Sequence, residues 1–350
     1  MTEDKKTNEE RSPEAAIPTP AIPEPPKRRR PWWFILLALM VIAIWTAVGL
    51  VVATRTTSRE SIEETYGSSQ PSELVSFDFD FHILLSGHND SIEFVVAVPK
   101  TIDRRQNVLE VTYDPQPVDI FDEGENRYAE FLFIEPASDI VVSISGEAEL
   151  FGYDLSSAME MKNPGGESVL NRYLVSEQYL EKGSPEIRAV AESIEGADET
   201  DTVEGLFDYV VDNTSYTGYN PGEVGAEEAI ERGGGDCSEF ADILVALCRA
   251  KEIPAKTTDG FIVQEKVEGQ DVSTIKHSWA EVYIEEYGWV PFDPTFADSG
   301  LATFNQLDPI FLRVSDIRNN DILNHGHFWA YHYWGDPIEV TESYTFTPQT

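Results

Sequence analysis

Cysteine is scarce in this chain: its 350 residues hold two, Cys237 and Cys248. They lie eleven residues apart on one predicted helix, about 16 Å at the rise of a helical residue, too far to bridge. A disulfide framework is excluded, so a free cysteine here needs another explanation. Bases are scarce too. The 25 Lys and Arg stand against 63 Asp and Glu, a formal net charge of −38. Seven of the bases and six of the acids fall in residues 1–30, so the acidic excess sits almost wholly beyond Arg55. Such a surface repels phosphate backbones and anionic headgroups, which excludes nucleic acid as a partner. It suits concentrated salt, where self-repulsion is screened, and a halophilic source is the first expectation. The alternative is an acidic exported protein that binds divalent cations. The chain also lacks internal repeats.

Long apolar runs are confined to one place. Residues 1–31 form a polar tail with Pro13, Pro18, Pro20, Pro23, Pro25 and Pro26, expected to be disordered and cytoplasmic. After Lys27-Arg28-Arg29-Arg30 comes a charge-free run of 22 residues, Trp32 to Ala53. A bilayer core needs ~20 residues of helix, so residues 32–54 are expected to span a membrane and contact lipid. The basic cluster precedes the span, so the positive-inside rule puts the remainder outside the cell. A cleaved signal peptide is the second reading, since Val51-Val52-Ala53 is a passable cleavage site.

Residues 55–73 read as a stalk. Beyond it, Phe77, Phe79, Phe81 and Ile83 alternate with Asp78, Asp80 and His82, the signature of a half-buried strand. Ile92–Val98, Val108–Tyr113, Val118–Phe121, Tyr128–Ile134 and Ile140–Leu150 continue the pattern. They predict a small antiparallel β-sandwich over residues 74–152. After Gly165 the period changes. Helices are predicted at Val169–Leu180, at Ser184–Ile194, from Thr202 onward and at Cys237–Ala250. Strands follow at Ala255–Gln264, His277–Ile284 and Trp289–Phe292. Helices then strands around one core is an α+β pattern, assigned to residues 153–350.

Chemistry concentrates in three short segments. Gly233-Gly234-Gly235-Asp236-Cys237 sets a cysteine at the first turn of a helix. The positive end of the helix dipole there favours a thiolate. A thiolate nucleophile wants a base, and the base an orienter. His277 opens one strand and Asp293 closes the next. A three-residue loop, Glu285-Tyr287 inclusive, pairs Ile284 with Gly288. That register puts Trp279 opposite Asp293 and His277 on the diagonal, on the same face, whereas a four-residue loop would put the two on opposite faces. Gly288 suits the bulge such loops require.

These segments resemble the transglutaminase-like family. The matching pieces are Gly235-Asp236-Cys237-Ser238-Glu239-Phe240-Ala241, Leu247 to Lys256, His277-Ser278-Trp279-Ala280-Glu281-Val282-Tyr283 and Trp289-Val290-Pro291-Phe292-Asp293-Pro294-Thr295. The resemblance covers roughly residues 202–296. It implies a papain-like core and acyl transfer or hydrolysis through a thioester, at peptide or glutamine carboxamide bonds. By it, Cys237 is nucleophile, His277 general base and Asp293 orienter. Tyr216 is the oxyanion candidate, with Trp279 and Glu281 as further cleft candidates. The family's usual glycine in the turn before Ile253 is Glu252 here. No cofactor or metal is expected; Asp198, Glu199 and Asp201 could touch calcium, but a solvated helix start is the preferred reading. Expected partners are protein or peptide substrates at the cell surface. The rival reading is a non-catalytic surface binding or scaffolding module on the same fold. In the segment from His325 to Trp334, an aromatic strand closing a sheet is preferred to a metal site. Asn89-Asp90-Ser91 and Asn213-Thr214-Ser215 fit the glycosylation acceptor pattern.

Overall fold

The structure, a computed structural model, describes residues 72–158, 167–220, 222, 224–263, 276–316 and 318–349. The expected tail, span and most of the stalk lie outside these residues. Among the described residues, no helix is long and apolar enough to cross a membrane.

The strands β1 (Ser72–Leu85), β2 (Asn89–Val98), β3 (Gln106–Asp114), β4 (Asp119–Glu123), β5 (Asn126–Ile134) and β6 (Ile140–Phe151) form as the alternation predicts. On β1, Phe77, Phe79, Phe81 and Ile83 are buried while Asp78 and His82 are exposed. Each such side chain contributes roughly 1.5–3 kcal/mol on leaving water, which holds this register against its one-residue slip. The helices are α1 (Pro185–Ser193), α2 (Glu199–Asn213), α3 (Gly225–Arg232) and α4 (Cys237–Ala250). The two-residue strands β7 (Ser215–Tyr216) and β8 (Gly234–Gly235) pair in parallel. The sheet that follows holds β9 (Ala255–Ile262), β10 (Lys276–Ile284), β11 (Gly288–Phe292) and β12 (Phe311–Ser315), in the order β11-β10-β9-β12. The chain ends in β13 (Trp329–Gly335) and β14 (Ile338–Pro348).

These last strands correct the expected division at residue 153. β14 pairs with β1 and β13 with β2, giving the sandwich sheets β14-β1-β6-β3 and β13-β2-β5-β4. The sandwich therefore draws its edge strands from the C-terminus. The reason is an open edge: β1 has β6 on one side and needs a partner on the other. The alternation of Tyr344 and Phe346 supplies buried side chains beside Phe79 and Phe77. The described residues accordingly form one compact unit. One apolar core lies within the sandwich and takes in Phe261, Leu312 and Val314 from the third sheet. A second packs α1 to α4 against the other face of that sheet, through Phe240, Leu244, Ala280 and Val282.

Two smaller expectations also change. The helix expected at Val169–Leu180 is a 3-10 helix over Glu167–Leu174, followed by a turn that bridges Glu177 and Leu180. Asn89 is no glycan acceptor surface: it is fully buried, and its side-chain amide donates to the Asp336 carbonyl at 2.7 Å.

Candidate active site

The position of Cys237 is fixed by a capping box. Asp236 is the N-cap of α4. Its Oδ1 accepts from the Ser238 N–H at 2.9 Å and its Oδ2 from the Asn220 N–H at 3.0 Å. Glu239 Oε2 accepts in return from the Asp236 N–H at 2.8 Å. These bonds satisfy two of the open donors at the helix start. None of them takes the Cys237 N–H, which stays available at the helix terminus. Gly235 is required for this approach, because a Cβ there would sit 2.4 Å from Glu239 Cβ.

The hairpin β10–β11 carries the other two residues. Ile284 pairs with Gly288 and Ala280 with Phe292, the register expected from parity. Gly288 sits at φ 79°, in the left-handed region that the tight loop requires. His277 Nε2 meets Asp293 Oδ2 at 2.6 Å. The other Asp293 oxygen accepts from the Phe296 N–H at 3.0 Å, capping the short helix Pro294–Asp298. Asp293 is fully buried and His277 nearly so. With Nε2 engaged, Nδ1 is the nitrogen left for Cys237, which lines the same cavity. Burial pulls the imidazole pKa down. The Asp293 charge and the hydrogen bonds to Asp293 and Cys237 outweigh it, and the ring is pushed up to about 10. The rings of Phe296, at 4.8 Å between centroids, and Phe311, at 6.1 Å, wall the imidazole.

A cavity of about 200 Å³ opens in front of Cys237 and His277. Its walls include Tyr219 and Asn220 from the loop after β7, Lys276 and Ser278 from β10, and His327, Phe328 and Trp329 leading into β13. The sandwich edge is thus one wall of the cleft. Sequence reasoning missed these wall residues. The run from His325 to Trp334 was legible as a closing strand, but which sheet it closes depends on a pairing across more than 200 residues.

The other candidates divide. Tyr216, on β7, pairs with Gly235 and is half-exposed. Its hydroxyl pKa is raised by partial burial and then by the charges of Cys237 and Asp236, but the side chain is not among the residues that line the cavity. Trp279 and Glu281 do not line this cavity, a correction to their place as cleft candidates. Each is one or two alternations further along β10 and faces a different cavity beside Arg105. Glu281 meets Arg105 Nε at 3.1 Å and Lys256 Nζ at 3.2 Å.

Beneath the cleft lies a second polar row. Asp259 Oδ1 accepts from Ser278 Oγ at 2.6 Å and meets His327 Nδ1 at 2.9 Å. His327 Nε2 lies 2.9 Å from Arg318 Nη1, and Arg318 Nε donates to Asp242 at 2.9 Å. His327 is therefore committed to protein partners on both nitrogens. Among the described residues no group of three or more His, Cys, Asp or Glu is arranged around a metal-sized site.

A cysteine at a helix start, an imidazole on the neighbouring sheet and a carboxylate behind it define a papain-like arrangement. Residues 188–294 match the transglutaminase-like superfamily, the family that the three sequence segments resemble. The chain is 37% identical to the uncharacterized protein YebA of Bacillus subtilis over 82 residues, 21% of this chain and 11% of that protein. A candidate cysteine protease of Cytophaga hutchinsonii has the same fold, at 18% identity and a TM-score of 0.57, over 80% of this chain and 92% of that one. The periplasmic domain of TgpA from Pseudomonas aeruginosa aligns at 14% identity and a TM-score of 0.38, over 67% of this chain and 91% of that one. The chain covers about a tenth of the length of the curated relative it matches.

Proposed function

We propose that the protein is a cysteine enzyme that acylates Cys237 from a peptide or glutamine carboxamide and passes the acyl group to water or an amine. The observation that carries this reading is the 2.6 Å contact of His277 Nε2 with Asp293 Oδ2, behind a cavity that Cys237 also lines. An imidazole raised to about 10 is protonated at neutral pH and gives a thiolate its counter-ion. Sulfur attacks the carbonyl carbon and the C–O π pair moves to oxygen. The Cys237 N–H and the Tyr216 hydroxyl are the donors for that oxyanion. Collapse breaks the C–N bond, and the leaving amine takes the proton from His277. The neutral imidazole then takes a proton from water or an amine attacking the thioester. Expulsion of the thiolate completes the cycle. Asp293 holds the ring in the orientation both transfers need.

We further propose that residues 32–54 anchor this unit at a membrane, with its substrates at the cell surface. Support comes from the charge-free run and the basic cluster before it. Accessibility of an engineered surface cysteine to an impermeant label on intact cells tests the orientation.

The enzyme reading is tested by mass spectrometry of glutamine-containing peptides with a small primary amine, in low and high salt, with Cys237→Ala as control. Cleavage names a protease, amine gain with ammonia loss a transglutaminase, and a one-dalton gain a deamidase. No change with the native protein in any salt, together with an ordinary free-thiol alkylation rate at Cys237, leaves the binding-module reading instead.

A further inference from the structure

The cleft has a charged wall that the triad does not use. Lys276 sits one residue before His277 and lines the same cavity as Cys237. Its ammonium is held at the rim by Glu342 of β14. The other Glu342 oxygen accepts from Trp329 Nε1 at 2.5 Å and from the Tyr344 hydroxyl at 2.6 Å. One carboxylate thus fixes both the cation and the indole that face the cavity. Lys276 also lies over the Phe328 ring, 4.9 Å from its centroid. An ammonium has three donors, and Glu342 takes one.

The other charged groups on the lining are spent elsewhere. Asp236 is almost fully buried, and both its oxygens accept backbone N–H groups. His277 is turned to Asp293 and Cys237, and His327 to Asp259 and Arg318. The anions that balance the wall therefore stand behind it, while a lysine fronts the cavity. In a chain of net charge −38 this local reversal of sign is against the average by a wide margin.

We propose that Lys276, with the Phe328–Trp329 shelf, forms a carboxylate-binding subsite, so that the acyl donor is an acidic peptide segment. This rests on the cysteine-enzyme reading for its use but is tested without turnover. Iodoacetate and iodoacetamide alkylate a thiolate by the same displacement: sulfur bonds to the methylene carbon and iodide leaves. They differ in carrying a carboxylate or a neutral amide. Rates at Cys237 are read by peptide mapping, with buried Cys248 as internal reference.

The ratio of iodoacetate to iodoacetamide rates is expected to fall about three- to tenfold in Lys276→Met and to hold in Lys276→Arg. It should rise in Glu342→Gln, which removes the counter-charge, and the Lys276 effect should shrink in molar salt. An unchanged ratio in Lys276→Met overturns the subsite. Ordinary free-thiol rates with both reagents overturn the enzyme reading instead, and the Lys276 difference is read either way. Two competitor arms, read with the neutral reagent iodoacetamide, separate the sources of the carboxylate. One peptide carries internal Glu and an amidated end, the other Gln and a free C-terminus. The one that slows iodoacetamide alkylation of native but not Lys276→Met protein names the source, and protection by neither overturns the proposal.

Discussion

Strand β10 carries buried charge at both ends of one face, and the two ends are built on different terms. At one end His277 meets Asp293 beside an open cavity. At the other, four residues on, Glu281 meets Arg105 and Lys256, and Lys256 also reaches Asp316 at 2.9 Å. Arg313 closes that ring on Asp316 at 3.0 Å. Each member of the cluster drives its partners further into their charged forms. Burial alone would push Glu281 up, yet the Lys256, Arg105 and Arg313 charges hold it down at about 2. Asp316 is lowered and Lys256 raised in the same way, against burial. The cluster is closed, with each charge answered inside the fold. The cleft is not: its imidazole has one carboxylate behind it and a thiol in front. Closure marks the structural cluster, and openness the cleft proposed to be reactive.

The sharpest way to break this contrast is to remove one group from each end. Cys237→Ala is expected to lose turnover by at least about a thousandfold while leaving the melting temperature nearly unchanged. Turnover surviving that change, measured by peptide mass spectrometry, would remove the cysteine from the chemistry. Lys256→Met should do the reverse. It leaves Glu281 and Asp316 buried with one cation fewer, a loss of about 3–5 kcal/mol. Calorimetry should show a melting temperature roughly 10 °C lower in a unit of this size. An unshifted melt would mean that the cluster does not hold the sandwich to the third sheet.

How far each end could be read from sequence follows from the range of its contacts. The cleft's reacting groups sit on a capped helix and a tight hairpin, both local structures. A three-residue loop gives the Ile284–Gly288 register and with it the shared face of His277 and Asp293, where a four-residue loop would have split them. The cluster draws Arg105 from the sandwich and Asp316 from beyond β12, and neither has a local signature. For the same reason the residues of 74–152 were legible as sandwich strands, but β13 and β14 were not legible as their edges. Phe79 pairs with Tyr344 across 265 intervening steps of chain, and no short-range pattern encodes that. Trp279 and Glu281 were misplaced because they share the His277 face; alternation gives the face, not how far along it the cavity extends.

A milder probe sits at the rim of the cleft. Tyr216→Phe removes the hydroxyl proposed as one oxyanion donor from a half-exposed side chain. A tenfold to hundredfold fall in kcat, with KM and melting temperature held, is expected. A rise in KM with kcat held would make Tyr216 a substrate contact instead of an oxyanion donor.

The smallest effect is the pH dependence of stability, and it has opposite signs at the two ends. Glu281 is depressed to about 2 when folded. Its contribution is complete above the ordinary carboxylate pKa near ~4.3 and is lost as pH falls through about 2. His277 is raised to about 10, so its contribution is complete below the ordinary imidazole pKa near ~6.5 and is lost as pH rises through about 10. Melting curves from acid to alkaline pH should therefore fall at both ends. Glu281→Gln should flatten the acid limb alone, and His277→Gln the alkaline limb alone. If His277→Gln leaves the alkaline limb intact, the imidazole is not held protonated by Asp293, and the thiolate loses its standing counter-ion. The open end of β10 would then need substrate to complete its charge balance, where the closed end needs nothing.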